Sequence, residues 1–278
     1  MNISQAVTYG YNLLTQSESP ERDSQFLLCY ILNCTTVYLH SQADQCLTQQ
    51  QLTQFDQLLQ QRQQGQPIAH IIGRRGFWTL DLQITPDTLI PRPDTELLVE
   101  LALSKIKPDM LVADLGTGSG AIALSLAQEH PLATILAMDY SMPALIVAKK
   151  NAAIHQLNNV SFWHGHWLDA IADNSMNMVV SNPPYIQQDD PHLSQGDVRF
   201  EPLSALTSGV DGLDDIRKIV EQARKCLKMS GWLLVEHGYD QAQQVQDLFQ
   251  QAGYINITSH KDLGDNDRVV MGQIESYK

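Results

Sequence analysis

The chain has 278 residues, 43% of them apolar, enough for one large domain or a typical domain with a small companion. Its 31 acidic residues outnumber 18 lysines and arginines for a net charge of −13, and no basic cluster stands out, which argues against a nucleic-acid partner. No apolar run approaches a bilayer span, the first residues lack a basic-then-apolar leader, and Cys29, Cys34, Cys46 and Cys226 show neither CxxC nor zinc spacing; the expectation is a cytoplasmic protein with no membrane partner and no structural metal.

Residues 1–72 read as helical. Leu13 and Leu14 close a first amphipathic segment, and Ser19-Pro20-Glu21 has the form of an N-cap with Pro at the first helical position. Phe26, Leu27, Tyr30 and Ile31 follow at the spacing of a buried stripe. Thr48 to Gln51 matches a capping box, and Gly65 is a stop signal for the helix it opens. The glutamine run from Gln49 to Gln66 carries Leu52, Phe55, Leu58 and Leu59 at helical spacing, so it reads as a solvated helix face. Three of the cysteines sit among helix-like apolar residues, where a buried free thiol is expected.

Residues 73–93 change character. Gly73, Gly76, Pro86 and Pro91 punctuate the short runs Phe77–Leu80 and Leu82–Ile84, which predicts a β-hairpin linking two domains. Residues 94–278 then form the second domain. A helix begins at Asp94-Thr95-Glu96 and reaches about Lys105. Strands are predicted at Leu111–Asp114, Thr134–Asp139, Val160–His164, Met176–Ser181, Trp232–Glu236, Ile255–Ser259 and Val269–Gln273. Helices near Ala121–Glu129, Pro143–Gln156, Asp214–Leu227 and Gln241–Ala252 separate most of them. Alternation of this kind implies an α/β fold with a mostly parallel sheet, and the closing pair, joined only by a loop, predicts an antiparallel last strand.

Two segments carry the chemistry. Gly116-Thr117-Gly118-Ser119-Gly120 follows the first strand of the alternation and opens a helix, so its backbone can turn sharply and approach a ligand. Asp139 ends the next strand, where a carboxylate can accept hydrogen bonds from ribose hydroxyls. The same loop satisfies the looser dinucleotide fingerprint, so a nicotinamide dehydrogenase competes at this point. Asp114, two residues before the first glycine, suits the cationic amino-acid moiety of S-adenosyl-L-methionine better than a pyrophosphate.

The second segment is Asn182-Pro183-Pro184-Tyr185, just after the fourth strand of the alternation. Two prolines remove two backbone donors and leave carbonyls that only accept, and Asn182 adds a side-chain oxygen. A primary amide carries two N–H donors, so the Asn oxygen and one proline carbonyl can hold both. The nitrogen lone pair of a carboxamide is delocalised and weakly nucleophilic. Two acceptors on its hydrogens would aim it at a sulfonium methyl and stabilise the charge that develops on it. Tyr185 is expected to pack on the flat acceptor group. A rigid turn with no chemistry is the structural alternative.

At these residues the chain resembles the release-factor glutamine methyltransferases, the PrmC/HemK family. The resemblance extends to Leu89–Glu96, His192-Leu193, Gly196–Pro202 and Asp211–Asp214. It implies a seven-stranded Rossmann-like S-adenosylmethionine methyltransferase domain with a small N-terminal helical domain that helps recognise the substrate. It also implies methylation of the Gln side-chain nitrogen in the Gly-Gly-Gln motif of peptide chain release factors. Family cofactor positions fall on Gly116 to Gly120, Asp139, Trp167 and Asn182, and substrate positions on Asn182, Pro183, Pro184 and Tyr185, with Asn182, Pro183 and Tyr185 at the reacting amide. His166 stands where the family usually has Asp, and Gly76 where Glu is common. Three rivals remain: methylation of a ribosomal-protein glutamine, methylation of a nucleic-acid adenine, and a non-catalytic module that docks on translation factors. Arg92 and Glu96 are read as pocket residues or a surface pair, Asp197, Arg199 and Glu201 as a loop-ordering or structural set, and His237 as structural.

Overall fold

The computed structural model describes residues 1–275, which divide into two compact units. The first comprises Met1–Arg74 together with Ser194–Phe200. Its helices are α1 (Ile3–Leu13), α2 (Pro20–Leu32), α3 (Thr36–Ser41), α4 (Gln49–Gln63) and α5 (Ile68–Ile72). Local signals account for most of their ends. Thr48 and Gln51 form the expected capping box of α4, and Asn2 with Gln5 forms a second one at α1. Pro20 opens α2, but the Ser19 hydroxyl makes no cap; its carbonyl accepts from Asp23 N–H at 2.9 Å instead.

Leu27, Leu28, Phe55 and Leu59 are fully buried at the centre of this unit. The buried face of α2 therefore runs through Asp23, Ser24, Leu27 and Leu28, one step round from the predicted stripe, and Tyr30 is exposed. The shift follows from a close approach: a Cβ on Gly10 would lie 2.3 Å from Ser24 Oγ, so α1 meets α2 where both residues are small. All four cysteines are free, and only Cys226 is buried.

The second unit holds residues 75–193 and those from Glu201 onward. It opens with a hairpin, β1 (Arg74–Phe77) and β2 (Leu80–Gln83). The turn falls on Trp78, inside the first predicted strand, with Trp78 in the left-handed region at φ +54. Two carboxylates hold it there: Glu96 accepts its backbone N–H at 3.0 Å and Glu129 its indole N–H at 2.8 Å. After a 3-10 turn at Pro93–Thr95 come α6 (Glu96–Leu103), β3 (Leu111–Leu115), α7 (Ala121–Glu129), β4 (Thr134–Asp139), α8 (Met142–Ile154), β5 (Val160–His164) and β6 (Met176–Ser181). The chain continues through α9 (Asp214–Cys226), β7 (Leu227–Glu236), α10 (Ala242–Gln251), β8 (Ile255–Lys261) and β9 (Asp267–Gln273).

The seven-stranded sheet has the order β5-β4-β3-β6-β7-β9-β8, parallel from β5 to β7, with β9 antiparallel to both neighbours. Its central strands read as near-continuous apolar runs because helices cover both faces. The order reverses between β3 and β6, where an open α/β sheet forms a crevice at its carboxyl edge. Register lines up what stands there: Leu115 pairs with Met138 and with Ser181, and Ser181 with Val235. The next residues, Asp139, Gly116, Asn182 and Glu236, therefore follow one another across that edge.

Asn151, fully buried on α8, ties the hairpin to this edge. Its Nδ2 donates to the carbonyls of Gln83 (3.1 Å) and Ser119 (2.9 Å), and its Oδ1 accepts from Gln83 N–H at 2.7 Å. Asn151→Ala strands three backbone groups and is expected to lower stability by about 2–4 kcal/mol. Denaturant melts of the two proteins check this, and an unchanged midpoint would remove Asn151 from the framework.

Candidate active site

A cleft of about 310 Å³ opens at the reversal point, walled by Gly116, Gly118, Asp139, Trp167, Asn182 and Pro184 among others. Gly116 and Gly118 take positive φ (+68 and +57), which lets the loop turn back across the ends of β3 and β4. Thr117 N–H bonds the Met138 carbonyl at 2.9 Å, and Gly118 N–H reaches Asp139 Oδ2 at 2.9 Å. The other Asp139 oxygen accepts Ser141 N–H at 2.8 Å, so each carboxylate oxygen keeps lone-pair capacity towards the cleft. Burial raises the Asp139 pKa above its ordinary value, opposed by these amide hydrogen bonds.

Thr117, Ser119 and Gly120 do not line the cleft. They shape the loop from behind: the Thr117 hydroxyl and the Ala123 amide both donate to Asp114 Oδ2, at 2.6 and 3.1 Å. Asp114 is fully buried, and burial pushes its carboxyl up to about 7. It clamps the glycine loop through Oδ2 and does not line the cleft, while its Oδ1 has no partner among the described residues.

Trp167 stands across from the loop with φ +46. A Cβ on Gly116 would lie 3.4 Å from its ring, so the glycine is what lets indole and loop share one wall. Its Nε1–H donates to Asp215 at 3.2 Å, and the Ser208 hydroxyl donates to the second Asp215 oxygen at 2.8 Å. His166 also lines the cleft, its ring edge-on to the indole at 5.7 Å. The acidic lining residues are Asp87, Asp139 and Asp215, and the wall contains no Lys or Arg among the described residues.

Asn182 lines the same cleft. Its Nδ2 donates to Thr95 Oγ1 at 3.1 Å, and no described residue donates to its Oδ1 or to the Pro183 carbonyl. Pro184 also faces the cleft and Pro183 is buried. Tyr185 does not line it: the ring packs against the core, its carbonyl accepts Gln241 Nε2–H at 3.0 Å, and burial raises the phenol pKa. The structure thus brings together Gly116, Gly118, Asp139, Trp167, Asn182 and Pro184 and sets Tyr185 beside them.

Other residues were not singled out from the sequence for the cleft. Thr88, Pro202, Ser204 and Thr207 supply wall; Ser204 sits in a single 3-10 turn (Leu203–Ala205) and the others in loops, none with a periodic pattern. Glu201 is buried and accepts Ile90 N–H at 2.9 Å and the Arg92 guanidinium, which holds two loops of this unit together. Arg92 and Glu96 do not pair, because Glu96 is engaged by Trp78. In the helical unit, Arg62 bridges Asp23 and Asp197, each at 2.7 Å. Among the described residues there is no cluster of three metal-ligating side chains, and no helix is long and apolar enough to cross a membrane.

A family model described as the PrmC N-terminal domain matches residues 5–73, and one described as the methyltransferase small domain matches residues 93–197. The release factor glutamine methyltransferase of Aliivibrio fischeri is 45% identical over 94% of this chain and 92% of its own length. The one of Escherichia coli K12 is 45% identical over 94% of each. A crystal structure of a methyltransferase from Pyrococcus furiosus shares the fold, with a TM-score of 0.56 at 15% identity over 72% of this chain and 91% of that one. At this identity over nearly its whole length, the chain belongs to the release factor glutamine methyltransferase family.

Proposed function

We propose that the chain methylates the side-chain amide nitrogen of the glutamine in the Gly-Gly-Gln motif of peptide chain release factors, with S-adenosyl-L-methionine as donor. The observation that carries this is the polarity of Asn182. Its NH₂ is engaged by Thr95, so the atom left for a ligand is an oxygen, next to the unpaired Pro183 carbonyl. Two acceptors and no donor match the two hydrogens of a primary amide.

The cofactor fits on the chain's own features. An acidic wall without Lys or Arg suits a cationic sulfonium and would repel the pyrophosphate of a dinucleotide, which counts against the dehydrogenase reading. Asp139 would accept from the ribose hydroxyls, Gly116 and Gly118 would admit the ligand against the backbone, and Trp167 would cover the adenine, braced by Asp215. When bound, the cofactor supplies an electrophilic methyl group. Asn182 and Pro183 orient the acceptor nitrogen along the line of transfer and stabilise its growing positive charge. An N-methylated amide cation is strongly acidic, so no strong base is needed and its proton leaves to water. Pro184 narrows the cleft around the acceptor.

In this reading the helical residues 1–72 recognise the release factor, residues 73–93 link, and residues 94–278 carry out transfer. The site of action is the cytoplasm, where release factors work. Nucleic acid is not a substrate, in keeping with the net charge of −13 and the acidic cleft.

Incubation with labelled donor and purified release factors, followed by mass spectrometric mapping, should find one methyl on the Gly-Gly-Gln glutamine. Incorporation into adenine or a ribosomal protein instead would sink the assignment. Asn182→Ala should lower turnover by about two to three orders of magnitude; retention within a few-fold would mean that another group holds the amide. Asp139→Ala should weaken cofactor binding by about 1.5–3 kcal/mol in calorimetry. An unchanged Kd would take Asp139 out of the cofactor site.

A further inference from the structure

Register sets Glu236, at the end of β7, beside Asn182, at the end of β6. Glu236 is 1% exposed, and its Oε2 has no hydrogen-bond partner among the described residues. The groups facing it come from three places: Thr95 and Asp94 in the 3-10 turn before α6, Tyr185 after β6, and Arg268 on β9. Its chain neighbour His237 is kept neutral by burial and donates from Nδ1 to the Gly238 carbonyl at 2.8 Å. Thr95, 4% exposed, lies between the carboxylate and the Asn182 amide: its oxygen accepts Asn182 Nδ2–H at 3.1 Å, and its hydroxyl stands close enough to Glu236 to lower the carboxyl's pKa.

We propose that Glu236 is a positioning residue for methyl transfer: through the Thr95 hydroxyl, its carboxylate dictates which end of Asn182 meets the substrate. This rests on the reading of Asn182 as acceptor for the glutamine NH₂. A carboxylate only accepts, and no other described group takes the Thr95 hydroxyl hydrogen, so in this relay it goes to Glu236. The Thr95 oxygen is then an acceptor towards Asn182, which turns its NH₂ inward and leaves its oxygen to the cleft. A protonated Glu236 can donate to Thr95 instead. The Thr95 hydrogen is then released towards Asn182, whose amide flips and presents donors to a substrate group that is itself a donor. One proton on a buried acid therefore inverts the polarity of the acceptor site.

Burial pushes the Glu236 carboxyl up to about 7, opposed by the nearby hydroxyls of Thr95 and Tyr185 and by the charge of Arg268. The state that supports transfer is the carboxylate, so turnover falls as pH drops through that region.

The test compares wild type, Glu236→Gln, Thr95→Val, Thr95→Ser and Asn182→Ala in steady-state methylation of purified release factor across pH 5.5 to about 9, a span that brackets the expected midpoint. Glu236→Gln should lower kcat about tenfold with both KM values within about twofold, and should lose the acid limb that wild type shows. Thr95→Val should match it in kcat, and Thr95→Ser, which keeps the hydroxyl, should return to within about threefold of wild type. A merely structural Glu236 would leave the limb in place in every soluble variant. The inference is overturned if Glu236→Gln keeps wild-type kcat and the same limb, or if Thr95→Val is silent. When Asn182→Ala abolishes turnover in that same experiment, the acceptor reading survives and only the relay fails. If Asn182→Ala is also active, both fall.

Discussion

The alignment of strand ends across β4, β3, β6 and β7 is the constraint on which the rest depends. A parallel sheet fixes the register of neighbouring strands, and here that register delivers a carboxylate, a glycine turn, an amide and a second carboxylate to consecutive positions along one edge. A slip of one residue in any pair would turn the whole side-chain set of that strand to the other face. Strand alternation and full burial on both sides make such a slip expensive, because Val112, Val179, Val180, Leu233 and Leu234 would all have to find new partners. The apolar middle of the sheet thus sets the accuracy of its polar rim.

Around that rim, hydrogen-bond direction matters more than charge strength. Asp139 and Asp114 look alike in sequence, each an acid at the end of a strand, yet they serve opposite purposes. Asp139 binds two backbone amides and still borders the cleft, whereas Asp114 turns inward to the Thr117 hydroxyl and the Ala123 amide. Asn182 repeats the theme, since what distinguishes its two ends is only which one Thr95 has claimed. In the proposed reading, a site for a donor-rich NH₂ is built by exhausting its own donors on the protein.

Much of this was readable before any coordinates. The alternation of apolar runs gave the sheet, the capping box at Thr48 and the proline at position 20 gave helix starts, and the glycine loop with Asn182 and Pro184 marked the edge where the cleft opens. What escaped was whatever depends on a distant partner. The hairpin turn sits on Trp78 because Glu96 and Glu129 hold its two N–H groups, and neither acid is a local signal. The α2 stripe moved because Gly10 admits Ser24. Glu236 beside His237 resembles any polar strand end; only pairing to β6 on one side and β9 on the other reveals it as a buried neighbour of Asn182. Loop wall such as Pro202 and Thr207 carries no period at all.

Two buried acids at one edge also set stability against activity. Asp114 and Glu236 both have folded-state pKa values raised by burial to about 7, from ordinary values of 3.8 and 4.5. For an acid shifted upward, the contribution to stability is full below the unfolded value and is lost as pH rises through the folded one. These two groups therefore favour the fold most at mildly acidic pH and withdraw that support as they ionise. Glu236 is useful to Asn182 only as the anion, on the side where its burial costs the fold most. A buried carboxylic acid with an unpartnered oxygen is not what packing alone would select, since a neutral side chain of similar volume would spare the desolvation. Its placement against Thr95 makes sense for what it does to the next residue in the line.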